Sequence, residues 1–62
     1  MRTIAGYLNN AKGKAIDTIK ALANKIPMFW GYEPVEMDYI YVEITVRQED
    51  AQSVENAIAG LV

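Results

Sequence analysis

The chain has 62 residues, of which 52% are hydrophobic and 23% are charged, and this balance excludes a disordered tail and is typical of one small globular domain over residues 1–62. It contains no cysteine and no histidine, which excludes disulfides, thiolate nucleophiles, imidazole bases and ordinary zinc sites. A domain this short buries only about 60% of the surface that its unfolded chain exposes, so the length favours a fold that a second copy completes.

The formal net charge of −2 is unevenly distributed along the chain. Residues 1–26 carry five basic side chains and one acidic side chain, whereas residues 27–62 carry one basic and seven acidic side chains. This division predicts that the two halves pack together and neutralise each other. The alternative is a basic arm that binds nucleic acid or lipid.

The first half of the chain has apolar residues at steps of three and four. At about 100° per residue they lie on one stripe of a helix, which predicts an amphipathic helix over residues 3–25, about 35 Å long. Thr3 is its expected N-cap and Pro27 its expected end. The stripe consists of Ile4, Leu8, Ala11, Ala15, Ile19, Leu22 and Ile26.

The second half of the chain predicts a β-hairpin. Residues 28–32, between Pro27 and Pro34, indicate an edge strand or an ordered loop, and residues 33–36 indicate the turn. Residues 39–46 then alternate strictly between outward polar or aromatic residues and inward aliphatic residues, which predicts a strand. The inward residues are Ile40, Val42, Ile44 and Val46.

A short C-terminal helix is predicted to begin at Glu49 and Asp50, where acidic side chains favour a helix N-terminus. Its apolar stripe is Ala51, Val54, Ile58 and Leu61. The complete prediction is an α+β fold of order α-β-β-α, with a long N-terminal helix, a hairpin and a short C-terminal helix, completed by a homodimer through strand edges or helices.

No set of residues indicates catalysis, and we expect no enzyme, no cofactor and no metal. Ser53 has no base near it in sequence, and Gly6 to Gly13 lacks the ending of a phosphate-binding loop. The acidic residues Glu33, Glu36 and Asp38 lack the glycine and the ligand spacing of a calcium loop. No apolar run approaches the roughly 20 residues of a membrane span and no secretory signal is evident, so the expected location is cytoplasmic.

The most distinctive feature is a group of large side chains within residues 28–41. Tyrosine, tryptophan, methionine and phenylalanine are enriched in protein interfaces, so this group predicts a binding surface. The alternative is that Phe29 and Trp30 fill the small core. The predicted partner-binding residues are Trp30, Tyr32, Tyr39, Tyr41 and Glu43.

These observations favour a non-enzymatic protein-binding module that acts by stoichiometric occupation of a partner protein. An accessory protein of a phage or mobile element that inhibits a host enzyme fits this description by analogy of size and composition. A second hypothesis is a membrane-surface protein whose basic first helix lies on lipid. A third, weaker hypothesis is a small nucleic-acid-binding protein in which Tyr39 and Tyr41 stack on bases, although Glu43 would repel phosphate.

Overall fold

The computed structural model describes all 62 residues and has the element order β-α-β-β-α. The elements are β1 (Arg2–Asn9), α1 (Lys14–Ala23), β2 (Met28–Glu36), β3 (Tyr39–Val46) and α2 (Ala51–Ile58). Single 3₁₀ turns at Ala11–Gly13, Gln48–Asp50 and Ala59–Leu61 flank the two helices.

The three strands form one antiparallel sheet in the order β1-β3-β2, so β3 is its central strand. β1 pairs with β3 from Arg2 opposite Val46 to Asn9 opposite Tyr39. β2 pairs with the other edge of β3, starting with Met28 opposite Val46. Because both outer strands are antiparallel to β3, they run parallel to each other, which is the arrangement of a split β-α-β motif.

The hydrophobic core lies between one face of the sheet and the two helices. All four inward residues of β3 are buried, as their alternation predicts, and Ile44 and Val46 are completely inaccessible. The predicted stripe of α2 is confirmed, since Ala51, Val54 and Ile58 are buried. Leu8, Ala15 and Ile19 complete the cluster of ten buried residues.

The predicted N-terminal helix over residues 3–25 is wrong, because residues 2–9 form a strand and the helix covers only Lys14–Ala23. Ile4 and Leu8 are four residues apart, and this spacing places two residues on one face of a strand as well as on one face of a helix. The choice between these conformations is made by β3, because its second edge needs a hydrogen-bonding partner that β2 cannot supply.

The break between β1 and α1 has a local cause. Lys12 and Gly13 have positive φ angles of 58° and 73°, so a continuous helix cannot pass through them. The Asn10 side-chain oxygen accepts the backbone N–H of Ile16 at 3.0 Å, which ties the turn to the new helix. Thr3 is therefore not an N-cap, and its hydroxyl lies 3.0 Å from the hydroxyl of Thr45 on β3.

The hairpin is present, but β2 is longer than predicted and its turn lies later. Residues 33–36, predicted as the turn, belong to β2, and the chain reverses at Met37 and Asp38, where Met37 has a φ of 53°. Pro34 is tolerated because β2 is an edge strand, and the pairing shifts register between Pro34 and Glu36.

Replacement of Gly13 by alanine tests the revised N-terminal half. A positive φ is strained for alanine, so G13A should lower the free energy of unfolding by about 1 kcal/mol. If residues 3–25 formed a continuous helix, G13A would instead raise the free energy of unfolding by about 1 kcal/mol, because alanine favours a helix interior more than glycine does. Urea unfolding measures the difference, with G31A as the control because an added Cβ at Gly31 meets no atom within 4 Å.

Candidate binding surface

The sheet has a second face that no helix covers. Side chains at alternate positions of each strand point to it, because the intervening positions point into the core. We call it the open face. On the three strands it consists of Thr3, Ala5, Tyr7, Asn9, Phe29, Gly31, Glu33, Glu36, Tyr39, Tyr41, Glu43 and Thr45.

Two tyrosines from neighbouring strands meet at the middle of the open face. Tyr7 of β1 lies directly opposite Tyr41 of β3, and their ring centroids are 5.3 Å apart with an angle of 59° between the planes. This tilted arrangement is one that aromatic rings prefer. Tyr7 remains 60% exposed, so the pair presents aromatic surface to solvent.

Phe29 extends the aromatic surface onto β2. Its side chain is 76% exposed and lies opposite Thr45, next to a shallow depression between β2 and β3. The depression exists because Gly31 has no side chain there. Its lining also includes Trp30, Tyr32, Glu33, Tyr41 and Glu43.

A second shallow depression lies at the other end of the open face, where the register of β2 shifts. It is lined by Tyr7, Val35, Glu36 and Tyr39. Val35 and Tyr39 are both more than 40% exposed, so this end of the face is also partly apolar. The open face therefore has two depressions. Tyr41 borders the one between β2 and β3, and Tyr7 borders the one at the register shift.

The Tyr41 hydroxyl is held by an acidic neighbour. It donates a hydrogen bond to a carboxylate oxygen of Glu43, two residues further along β3, at 3.3 Å. Desolvation, then the negative charge of Glu43 and this hydrogen bond, raise the pKa of Tyr41 above its ordinary value. Tyr41 thus remains a neutral hydrogen-bonding phenol throughout the physiological pH range.

All charged strand residues of the open face are acidic. Glu33, Glu36 and Glu43 point to it or line its depressions, and none of the strand positions on this face holds a lysine or arginine. The predicted neutralisation of the two halves of the chain is limited to one ion pair between them, Arg2 with Glu55 at 3.4 Å. The lysines form no salt bridge.

Four of the five predicted partner-binding residues, Trp30, Tyr32, Tyr41 and Glu43, line the depression between β2 and β3, but the side chains of the five do not all point to the same side of the sheet. Tyr39, Tyr41 and Glu43 lie on the open face. Trp30 and Tyr32 lie opposite Ile44 and Val42, so they point to the helix side of the sheet, where their rings stack with centroids 6.0 Å apart. Trp30 is partly buried against the core, whereas Tyr32 is 49% exposed.

Sequence reasoning missed Tyr7 and assigned Phe29 to either the core or the interface. Tyr7 was concealed by the helical reading of residues 3–25. The sequence signal for a strand here is an alternation. Ile4 and Leu8 fall on one face of such a strand, and the other face carries Thr3, Ala5, Tyr7 and Asn9. Phe29 lies on the open face because it alternates with Trp30, which occupies the core side.

Glu33, Glu36 and Asp38 do not form a group of three acidic side chains that could hold a metal ion, and no such group occurs elsewhere. None of the helices has the length and apolar character that crossing a bilayer requires.

The chain matches no protein-family model, no curated protein and no solved structure at a significant level.

The ionisation of Tyr41 tests the geometry of the open face. Tyr41 should lose its proton above the ordinary tyrosine pKa, and E43Q should lower the pKa of Tyr41 only part of the way, because desolvation remains. Since the folded-state pKa is the higher one, the corresponding stability is present below the unfolded-state pKa and is lost as the pH rises through the folded-state pKa. NMR titration of ring-labelled tyrosines, with Y41F to assign the signal, measures it. A Tyr41 pKa at or below the ordinary value would contradict the arrangement.

Proposed function

We propose that this chain is a non-enzymatic protein-binding module, which acts by stoichiometric occupation of a partner through the open face. The observation that carries the proposal is the aromatic character of a sheet face that the chain itself leaves uncovered. Tyr7, Phe29, Tyr39 and Tyr41 all lie there.

An antiparallel sheet with one solvated face normally places polar side chains on that face. Here four of the twelve strand positions hold aromatic rings, which contribute nothing to the ten-residue core. Tyrosine is a frequent energetic centre of interfaces because it offers large apolar area, few rotatable bonds and a hydroxyl. Exposed apolar surface is unfavourable in water, and a binding role explains why the chain retains it.

The charges of the open face define the chemistry of the partner. Glu33 and Glu43 flank the aromatic residues, so a complementary surface carries lysine or arginine side chains. An arginine guanidinium can stack on a tyrosine ring and at the same time pair with a carboxylate. We therefore propose a partner with a basic surface.

A basic partner surface is also what nucleic-acid-binding proteins present to phosphates. The open face presents negative charge and aromatic rings to a basic partner surface. A nucleic acid presents the same two features, in its phosphates and its bases. Under this proposal, occupation of that surface would block the partner's own substrate, as an inhibitory accessory protein does.

Direct nucleic-acid binding is the second candidate, because of one observation. Tyr7 and Tyr41 lie side by side on the adjacent strands β1 and β3, and aromatic residues on a sheet are one means by which proteins stack on single-stranded bases. The absence of basic side chains from the strand positions of the open face disfavours this candidate, since phosphate contacts supply most of such affinity. The membrane alternative lost its main support with the long helix, and Ala15 and Ile19 of α1 are buried in the core.

The first test uses an arginine-rich peptide as the probe and backbone NMR as the measurement. The peptide should shift the signals of open-face residues, and Y7A and Y41A should each weaken its binding by about tenfold or more. The control is Q52A, since Gln52 is exposed on α2, on the helix side of the sheet, and lines neither depression of the open face. It should leave the affinity unchanged.

A single-stranded oligonucleotide of about ten nucleotides is titrated in the same way. If the oligonucleotide binds at the open face with a steep loss of affinity in salt and the peptide does not, the nucleic-acid candidate replaces the protein-binding one. If Q52A weakens peptide binding as much as Y41A does in folded variants, the open face is not the site.

A further inference from the structure

The two outer edges of the sheet differ in how they are protected against pairing. The edge of β2 carries Glu33, Pro34, Glu36 and a register shift, all of which oppose the addition of another strand. The edge of β1 has none of these features from Thr3 to Leu8, a run with no charge, no proline and no shift in its pairing. Its outward N–H and C=O groups have no partner strand.

An apolar groove accompanies the free edge of β1 on the helix side. It lies between β1 and α2 and is lined mainly by Ile4, Leu8, Ile58, Ala59 and Val62. A strand added beside β1 would point every second side chain into this groove. Val62 is 82% exposed, so the chain itself does not close it.

Gly6 is at the middle of the free edge, and no contact within one chain requires a glycine there. Its φ is not in the positive region, and an added Cβ would meet no atom within 4 Å. Glycine in a strand often marks a place where another backbone approaches closely. The position of Gly6, between Ile4 and Leu8 on the groove side, fits such an approach.

We propose that the free edge of β1 binds the same edge of a second copy of this chain in antiparallel orientation, which produces a continuous six-stranded sheet. With the twofold axis at Gly6, Ile4 lies opposite the partner's Leu8 on the groove side, and Ala5 lies opposite the partner's Tyr7 on the open face. No like charges oppose each other, because the paired segment is uncharged.

The occupant is a second copy because the edge is complementary to itself. A twofold interface requires that each residue faces a suitable partner from the same segment, and the pairing described here meets that requirement with apolar residues opposite apolar residues. The pairing also places additional apolar surface of each chain in contact, which offsets the marginal stability of a domain this small.

In this dimer the two open faces point in the same direction, because residues that pair across an antiparallel ladder share a face. Tyr7 of each copy then lies near the twofold axis. The proposed dimer does not depend on the proposed function, because it forms without any other partner. Its test measures only the molecular mass of this chain in solution.

Sedimentation equilibrium across a roughly hundredfold concentration range tests the proposal. The wild-type chain should approach twice its 6.9 kDa mass as concentration rises. A5K should raise the dimer dissociation constant at least about tenfold, because it places two lysines near each other across the axis. The matched control is G31K, which should leave the dimer intact.

This pair of variants is closely matched. Ala5 and Gly31 both lie on edge strands, both are exposed, and both face Glu43 from opposite sides of β3. A monomer at every concentration overturns the proposal, as does equal loss of the dimer in folded A5K and G31K. If A5K fails to fold, amide exchange of the wild type decides the question: protection of the outward β1 amides must increase with concentration, and concentration-independent exchange overturns the proposal.

Discussion

The structure depends on β3 being paired along both of its edges. Because β3 is central, its alternation divides the whole sheet into a core side, with Ile40, Val42, Ile44 and Val46, and an open face. The registers of β1 and β2 then extend both sides: Leu8 joins the core, and Tyr7 joins the open face beside Tyr41. Core and candidate binding surface are therefore consequences of the same hydrogen-bonded ladders.

The sequence was sufficient to predict β3 and α2, because each has a strong period over at least two repeats and no competing pattern. It was not sufficient for β1. Ile4 and Leu8 satisfy a strand and a helix equally, and the deciding interaction is with residues 39–46, far along the chain. The local signals for the break are Asn10 and Gly13, which favour turns and helix starts more than helix interiors.

The candidate surface was half predictable for a related reason. Tyr39 and Tyr41 follow from the alternation of β3, and both lie on the open face. Phe29, Trp30 and Tyr32 are close in sequence, which suggests a single group, but a strand directs neighbouring side chains to opposite sides of the sheet. Tyr7 could be found only after β1 was known to be a strand next to β3.

The parallel placement of β1 and β2 on either side of β3 also orders the events of folding. β2 and β3 are joined by a tight turn, so their pairing closes a short loop, whereas β1 pairs with residues that are 30 to 44 positions away. Loop-closure entropy makes the distant pairing the slower step, and we expect the N-terminal strand to join a preformed hairpin and helix layer. The partly folded chain therefore exposes one unpaired edge of its central strand until β1 pairs with it. During this interval the chain is most vulnerable to aggregation.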